Sequence, residues 1–146
     1  MPLPEPHFIV FHKQGTSART LFLRMKNGSV ILPEPFPFLS SPLETDGLVH
    51  DYGRANFGHP ATLAQRLATV LALPQESVEV ETDFIEPVEI PGATAMVYLA
   101  RLATVDPPRA HFAGLGGQFC AITELRGGHP VEMALLRKAY ELILGG

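Results

Sequence analysis

Residues 7–12, His7-Phe8-Ile9-Val10-Phe11-His12, form a short apolar run rich in β-forming side chains and bounded by Pro6 and Gly15, so they predict a strand. Residues 20–25 and 30–32 are two further apolar runs with Asn27-Gly28 between them. That dipeptide between apolar runs predicts a hairpin with a type I′ turn, which needs positive φ at both central positions. Pro33, Pro35, Pro37 and Pro42 then remove four amide donors within ten residues, so the chain there must run as loop or sheet edge as far as Gly58. Pro60 suits the first position of a helix over residues 61–73. Its polar residues, Thr62, Gln65, Arg66 and Thr69, fall on one narrow stripe, which predicts a helix buried on most sides and ended by Pro74.

The second half alternates again. Residues 77–81 read as a half-exposed strand, prolonged over 86–90 beyond a kink at Pro87, and residues 95–102 as a central strand buried on both faces. Asp106-Pro107-Pro108 ends that strand, Gly114, Gly116 and Gly117 mark a turn, and residues 118–123 predict another strand. A last helix spans 130–144, with His129 as its N-cap and Pro130 at its first position. Glu132 falls inside that helix's apolar arc of Met133, Leu136, Ala139, Tyr140 and Ile143. Reaching back to the N-cap amide is the role that resolves the conflict. Both helices open with Gly-His-Pro, at Gly58 and Gly128, which predicts the same start chemistry twice. The order of elements predicts an α+β domain, a mixed sheet with helices packed on it.

Composition narrows the function more than the fold. The chain has 146 residues, 46% of them hydrophobic, which suits one domain over 1–146 with residues 1–6 as a flexible N-terminus. A formal net charge of −4 argues against nucleic acid as a partner. No apolar run is long enough to span a bilayer and residues 1–6 lack the basic and apolar regions of a secretory signal, so no membrane partner and a cytoplasmic location are expected. The lone cysteine, Cys120, has no intrachain partner and agrees with a reducing compartment.

Four segments together resemble the Nudix family. Leu21-Phe22-Leu23-Arg24 with Asn27-Gly28 and Ile31-Leu32-Pro33 looks like its early hairpin, and residues 61–73 occupy the place of its helix. Residues 97–102 resemble the core strand that follows, and Ile122-Thr123-Glu124-Leu125 with His129-Pro130 resembles the family's ending. The resemblance implies an α/β/α sandwich and a hydrolase whose helical glutamates hold Mg²⁺ on a diphosphate. The signature, G-x5-E-x7-R-E-U-x-E-E-x-G-U with U a bulky aliphatic residue, is degenerate here. Aligning Ala72-Leu73 with its end puts Gln65, Arg66, Thr69 and Val70 at the Arg-Glu and Glu-Glu positions, and residues 60–73 hold no carboxylate. Glu34-Pro35 stands where the family has Gly-Gly. The expectation is therefore a Nudix-like domain without the usual metal-dependent hydrolysis, with no cofactor and no metal. It would bind a small-molecule ligand or a protein, with a homodimer as one form.

The densest polar group lies in the loop of residues 44–59. His50 and Asp51, with Glu44 or Asp46, are the catalytic candidates of the alternative reading, a hydrolase of a nucleotide-derived or phosphorylated small molecule with a divalent metal held by loop residues. Arg54, His59 and Arg66 are the ligand-binding candidates. Against this stands a plain loop in which Asp51 pairs with Arg54 and His59 caps a helix. Arg19, Arg24 and Arg101 are further cations for an anionic pocket, and Phe36, Phe38, Tyr52 and Phe57 form either a cleft rim or anchors of the loop on the core. Gly114-Leu115-Gly116-Gly117 lacks the ending of a phosphate loop and predicts a hairpin connection, and Cys120 predicts a buried structural thiol.

Overall fold

Strands β1 (Pro6–Lys13), β2 (Thr20–Met25), β3 (Ser41–Pro42), β4 (Val78–Ile90), β5 (Ala93–Leu102) and β6 (Gly117–Cys120) make up the sheet of the computed structural model. It describes residues 6–14, 19–37, 39–42 and 59–145. The six strands form one mixed sheet in the order β3-β4-β5-β1-β2-β6. β1 and β5 run parallel at its centre, with Phe8 opposite Tyr98 and Val10 opposite Ala100, and every other pairing is antiparallel.

Helices cover both faces: α1 (Pro60–Leu71) and α2 (Arg109–Gly114) on one, α3 (Pro130–Gly145) on the other. Strand alternation sorts the core between them. Phe8 and Val10 pack with Leu63, Leu67, Leu71 and Phe112, whereas Ile9 and Phe11 pack with Leu135, Leu136 and Ala139. Burial on both sides is why β1 and β5 read as continuous apolar runs. The architecture is the α/β/α sandwich, an α+β fold with a mixed sheet.

Several sequence expectations change. The Asn27-Gly28 turn does not join two paired strands: β2 pairs with β1 and β6, and residues 30–32 leave the sheet except for a bridge in which Phe8 and Leu32 exchange hydrogen bonds at 2.7 and 2.9 Å. Gly28 alone of the pair takes positive φ, +89°. The Gly28 amide donates to the Met25 carbonyl and the Met25 amide to the Ser29 carbonyl, both at 2.8 Å, and the Asn27 side chain adds to this closure by accepting the Ser29 amide on its Oδ1 at 2.8 Å. The runs predicted over 77–81 and 86–90 do join in one strand, β4, but its irregularity falls between Val80 and Ile85, and Pro87, the predicted kink, pairs regularly with Met96.

α1 ends at Leu71, two residues short of the predicted 73, and is buried on about half its circumference. Ala61 and Val70 flank the polar stripe and are exposed with it, so the exposed arc is wider than polarity alone predicts. Leu63, Leu67 and Leu71 each contribute about 2 kcal/mol by leaving water. The glycine-rich segment is not a hairpin connection. It joins the short helix α2, which the sequence pattern missed, to β6, with Gly116 at φ +81°. α2 is fixed by fully buried Phe112, set edge-on to Phe119 with ring centroids 5.4 Å apart.

Glu132 does not reach back to its N-cap. It is buried at the start of α3 and accepts hydrogen bonds from the Ser29 hydroxyl and the Val30 amide. Those donors come from a segment about a hundred positions away, which periodicity cannot see.

Candidate functional site

The site is built on α1. His59 precedes it with extended backbone, and its Nδ1 accepts the Ala61 amide at 3.1 Å, satisfying one of the first-turn donors. His129 does the same for the Val131 amide at 3.1 Å, so the two Gly-His-Pro motifs share one start chemistry. At the other end Ala72 caps α1 in the left-handed region, φ +56° and ψ +44°. The Leu73 amide donates back to the Ala68 carbonyl at 2.9 Å. Among the described residues Ala72 is the one non-glycine with positive φ. In the alignment above it stands at the signature's glycine, and this is the conformation that glycine adopts without strain.

A cleft of about 420 Å³ opens between α1 and the start of β1. Phe8 and Leu67 form its floor and Pro6, Pro33 and Val70 its apolar walls, while Gln65, Arg66 and Thr69 supply its polar side. Val70, 53% exposed, is an apolar side chain presented to solvent on this wall. The Thr69 hydroxyl donates to the Gln65 carbonyl at 3.0 Å, which leaves its oxygen as an acceptor. The four positions where the signature would place its Arg-Glu and Glu-Glu pairs are therefore, with Leu67, the α1 residues that line this cleft. Two other clefts of similar volume are built differently. One, beside Glu76 and Glu79, is acidic, and the other lies near Lys26 and Leu115.

The family resemblance implies a divalent cation here, and the residues do not fit one. Such an ion needs several oxygen donors, carboxylates above all. α1 instead offers one cation, Arg66, with neutral Gln65 and Thr69 and apolar Val70. Among the described residues no three His, Cys, Asp or Glu side chains group closely enough to hold a metal.

The other predicted residues separate. Glu44, Asp46, His50, Asp51 and Arg54, with Phe38, Tyr52 and Phe57, lie outside the described residues. His59 is placed as the cap of α1, and Arg66 lines the cleft. Arg101 faces Glu79 at 3.6 Å across β4 and β5, both side chains exposed. Arg24 stands on β2, and neither it nor Arg19 is among the described residues lining the cleft. Phe36 is buried against His7, centroids 4.9 Å apart, and so anchors its loop on the core. Cys120 is fully buried; burial pushes its thiol up, outweighing the lowering effect of Arg24. Besides Leu67 of α1, the cleft residues that sequence reasoning did not select are Phe8, Pro6 and Pro33. The tight Phe8–Leu32 bridge brings them together, and no local pattern announces it.

The fold is Nudix-like. The chain superposes on the crystal structure of C. elegans Ap4A hydrolase with a TM-score of 0.53, covering 98% of this chain and 99% of that one at 12% identity. At the level of sequence, no family model and no curated relative matches the chain. No helix among the described residues is long and apolar enough to cross a membrane.

Proposed function

We propose that this chain is a Nudix-fold ligand-binding module that has set aside metal-dependent diphosphate hydrolysis, and that its ligand is a small molecule seated in the cleft beside α1. One observation carries the reading: Gln65, Arg66, Thr69 and Val70, which align with the signature's Arg-Glu and Glu-Glu positions, all line one cleft and bring no carboxylate to it. A cation-lined, partly apolar cleft suits recognition of an organic molecule, because apolar walls supply affinity and a few polar groups fix orientation. The acidic net charge of −4 argues against nucleic acid as the partner.

The test is incubation of the pure protein with nucleoside diphosphate derivatives and Mg²⁺ or Mn²⁺. No turnover above the metal-only control is expected. Robust turnover abolished by Asp51→Asn or Glu44→Gln would overturn the reading and establish the hydrolase alternative built on residues 44–59.

A further inference from the structure

Resting on that reading, we infer that the α1 cleft selects a small ring-bearing organic monoanion, such as an aromatic carboxylate, and binds it without any divalent metal.

Charge sets the first limit. Among the described residues that line the cleft, Arg66 is the single cation and none is a carboxylate. A ligand with one negative charge is matched by one guanidinium. A diphosphate brings further charge that neither Gln65 nor Thr69 can neutralise, and an uncompensated charge in a partly apolar cleft is costly. Arg66 already takes part in another interaction. Its planar fork carries five donors, so an engaged guanidinium still has hydrogens to offer a carboxylate.

Shape sets the second limit. The walls are two proline rings, Pro6 and Pro33, with the Phe8 ring beneath and the stiff, branched Val70 opposite. None of these loses much side-chain freedom when a ligand arrives, so a flat rigid face is bound at small entropic cost. At about 420 Å³ the cleft lies toward the small end of ligand pockets, sized for one ring system and its acidic group.

The polar side sets orientation. Gln65 and Arg66 stand on successive positions of α1 and Thr69 one turn on from them, so the polar groups form one edge and the apolar walls the rest. A ligand therefore enters with its anion toward α1 and its ring toward Phe8.

The test uses the full chain with a chelator present, titrated with naphthoate, with its neutral analogue naphthamide, and with ADP, each followed by amide chemical shifts. Naphthoate should perturb residues 65–70 and bind about tenfold more tightly than naphthamide. Arg66→Gln should erase that difference. Val70→Glu, at an exposed position that spares the fold, should abolish naphthoate binding by crowding and like charge. Added Mg²⁺ should leave naphthoate affinity unchanged. Equal binding of naphthoate and naphthamide, or no binding of either, overturns the monoanion inference and leaves the binding-module reading standing. Mg²⁺-dependent turnover of ADP overturns both.

Discussion

The carboxylate of Glu132 accepts a hydrogen bond from the Ser29 hydroxyl at 2.7 Å, across 103 positions of sequence, and both residues are buried. Its other oxygen accepts the Val30 amide at 3.0 Å, and the Ile31 amide donates to the Ser29 oxygen at 3.0 Å. One side chain at the start of α3 thereby holds the segment that follows β2. Removing it strands a buried hydroxyl and a buried amide, each worth about 1–3 kcal/mol when left unpaired. Glu132→Ala should lower the unfolding free energy by about 3 kcal/mol in urea denaturation. Glu132→Gln, which keeps an acceptor for Val30, should cost about 1 kcal/mol. The pair should be coupled, so a double-mutant cycle with Ser29→Ala giving no interaction energy would refute the arrangement.

That contact also marks where the sequence stops being legible. Strands β1 and β5 and both long helices follow from local signals: apolar runs, proline at the first helical position, histidine before it. Local pattern puts Glu132 in the right turn of the right helix but assigns it the wrong partner, because its partner is fixed only by packing between distant segments. The same holds for the cleft. Gln65, Arg66, Thr69 and Val70 are readable from the α1 sequence, whereas Phe8 and Pro33 join them through the Phe8–Leu32 bridge. α2 escaped because six residues between Pro108 and Leu115 carry too little periodicity, and its anchor, Phe112, acts through Phe119 on another element.

The paired histidine caps make a prediction of their own. His59 and His129 each satisfy a first-turn amide through Nδ1, so His59→Ala and His129→Ala should each cost about 1 kcal/mol. Asparagine at either position should restore most of the loss, because its short side chain also accepts that hydrogen bond. Amide hydrogen exchange localises the effect: the Ala61 and Val131 amides should lose protection in the alanine variants and regain it with asparagine. Unchanged exchange in both alanine variants would show that the caps contribute nothing.

Ala72 turns the C-terminus of α1 with φ +56°, a region where a Cβ is disfavoured. Ala72→Gly should therefore stabilise the protein by about 0.5–1 kcal/mol, strain relief outweighing the extra freedom of the unfolded chain. The sign is what matters. A destabilised variant in thermal melts would mean that the left-handed cap is not present in solution.

Tyr98 on β5 is 3% exposed and packs against Phe8, ring centroids 5.9 Å apart. Burial pushes its phenol up to about 12 from the ordinary 10. Below pH 10 the folded and unfolded chains both hold the proton, and this contribution to stability is fully present. Between about pH 10 and 12 the unfolded chain releases the proton while the folded chain keeps it, so stability falls by about 2–3 kcal/mol. Tyr98→Phe removes the titrating group and keeps the ring. Urea midpoints of the two proteins should run parallel below pH 10 and diverge above it, with the wild type falling faster. Curves that stay parallel to about pH 12 would show that the hydroxyl is not held in its neutral form by burial.

The last prediction tests whether α1 truly occupies the place of the metal-binding helix. If Ala72 stands at the signature's glycine, then Arg66, Thr69 and Val70 stand at its glutamates, and all three line one cleft. Carboxylates introduced there would converge on a common point one helical turn deep, with the single opposing cation removed. The triple variant Arg66→Glu, Thr69→Glu, Val70→Glu should bind Mg²⁺ or Mn²⁺ with a dissociation constant on the order of 0.1–1 mM, the range of open carboxylate sites. Calorimetric titration of the wild type should show no binding at this cleft. All three positions lie on the exposed arc of α1, so the fold should survive the substitutions, and circular dichroism checks that it does. A folded triple variant that binds no divalent ion would break the register between this helix and the family signature. With it would go the argument that this chain lost a metal site at α1. Metal binding by the variant alone would show that three side chains of α1 decide whether this helix can hold a divalent ion.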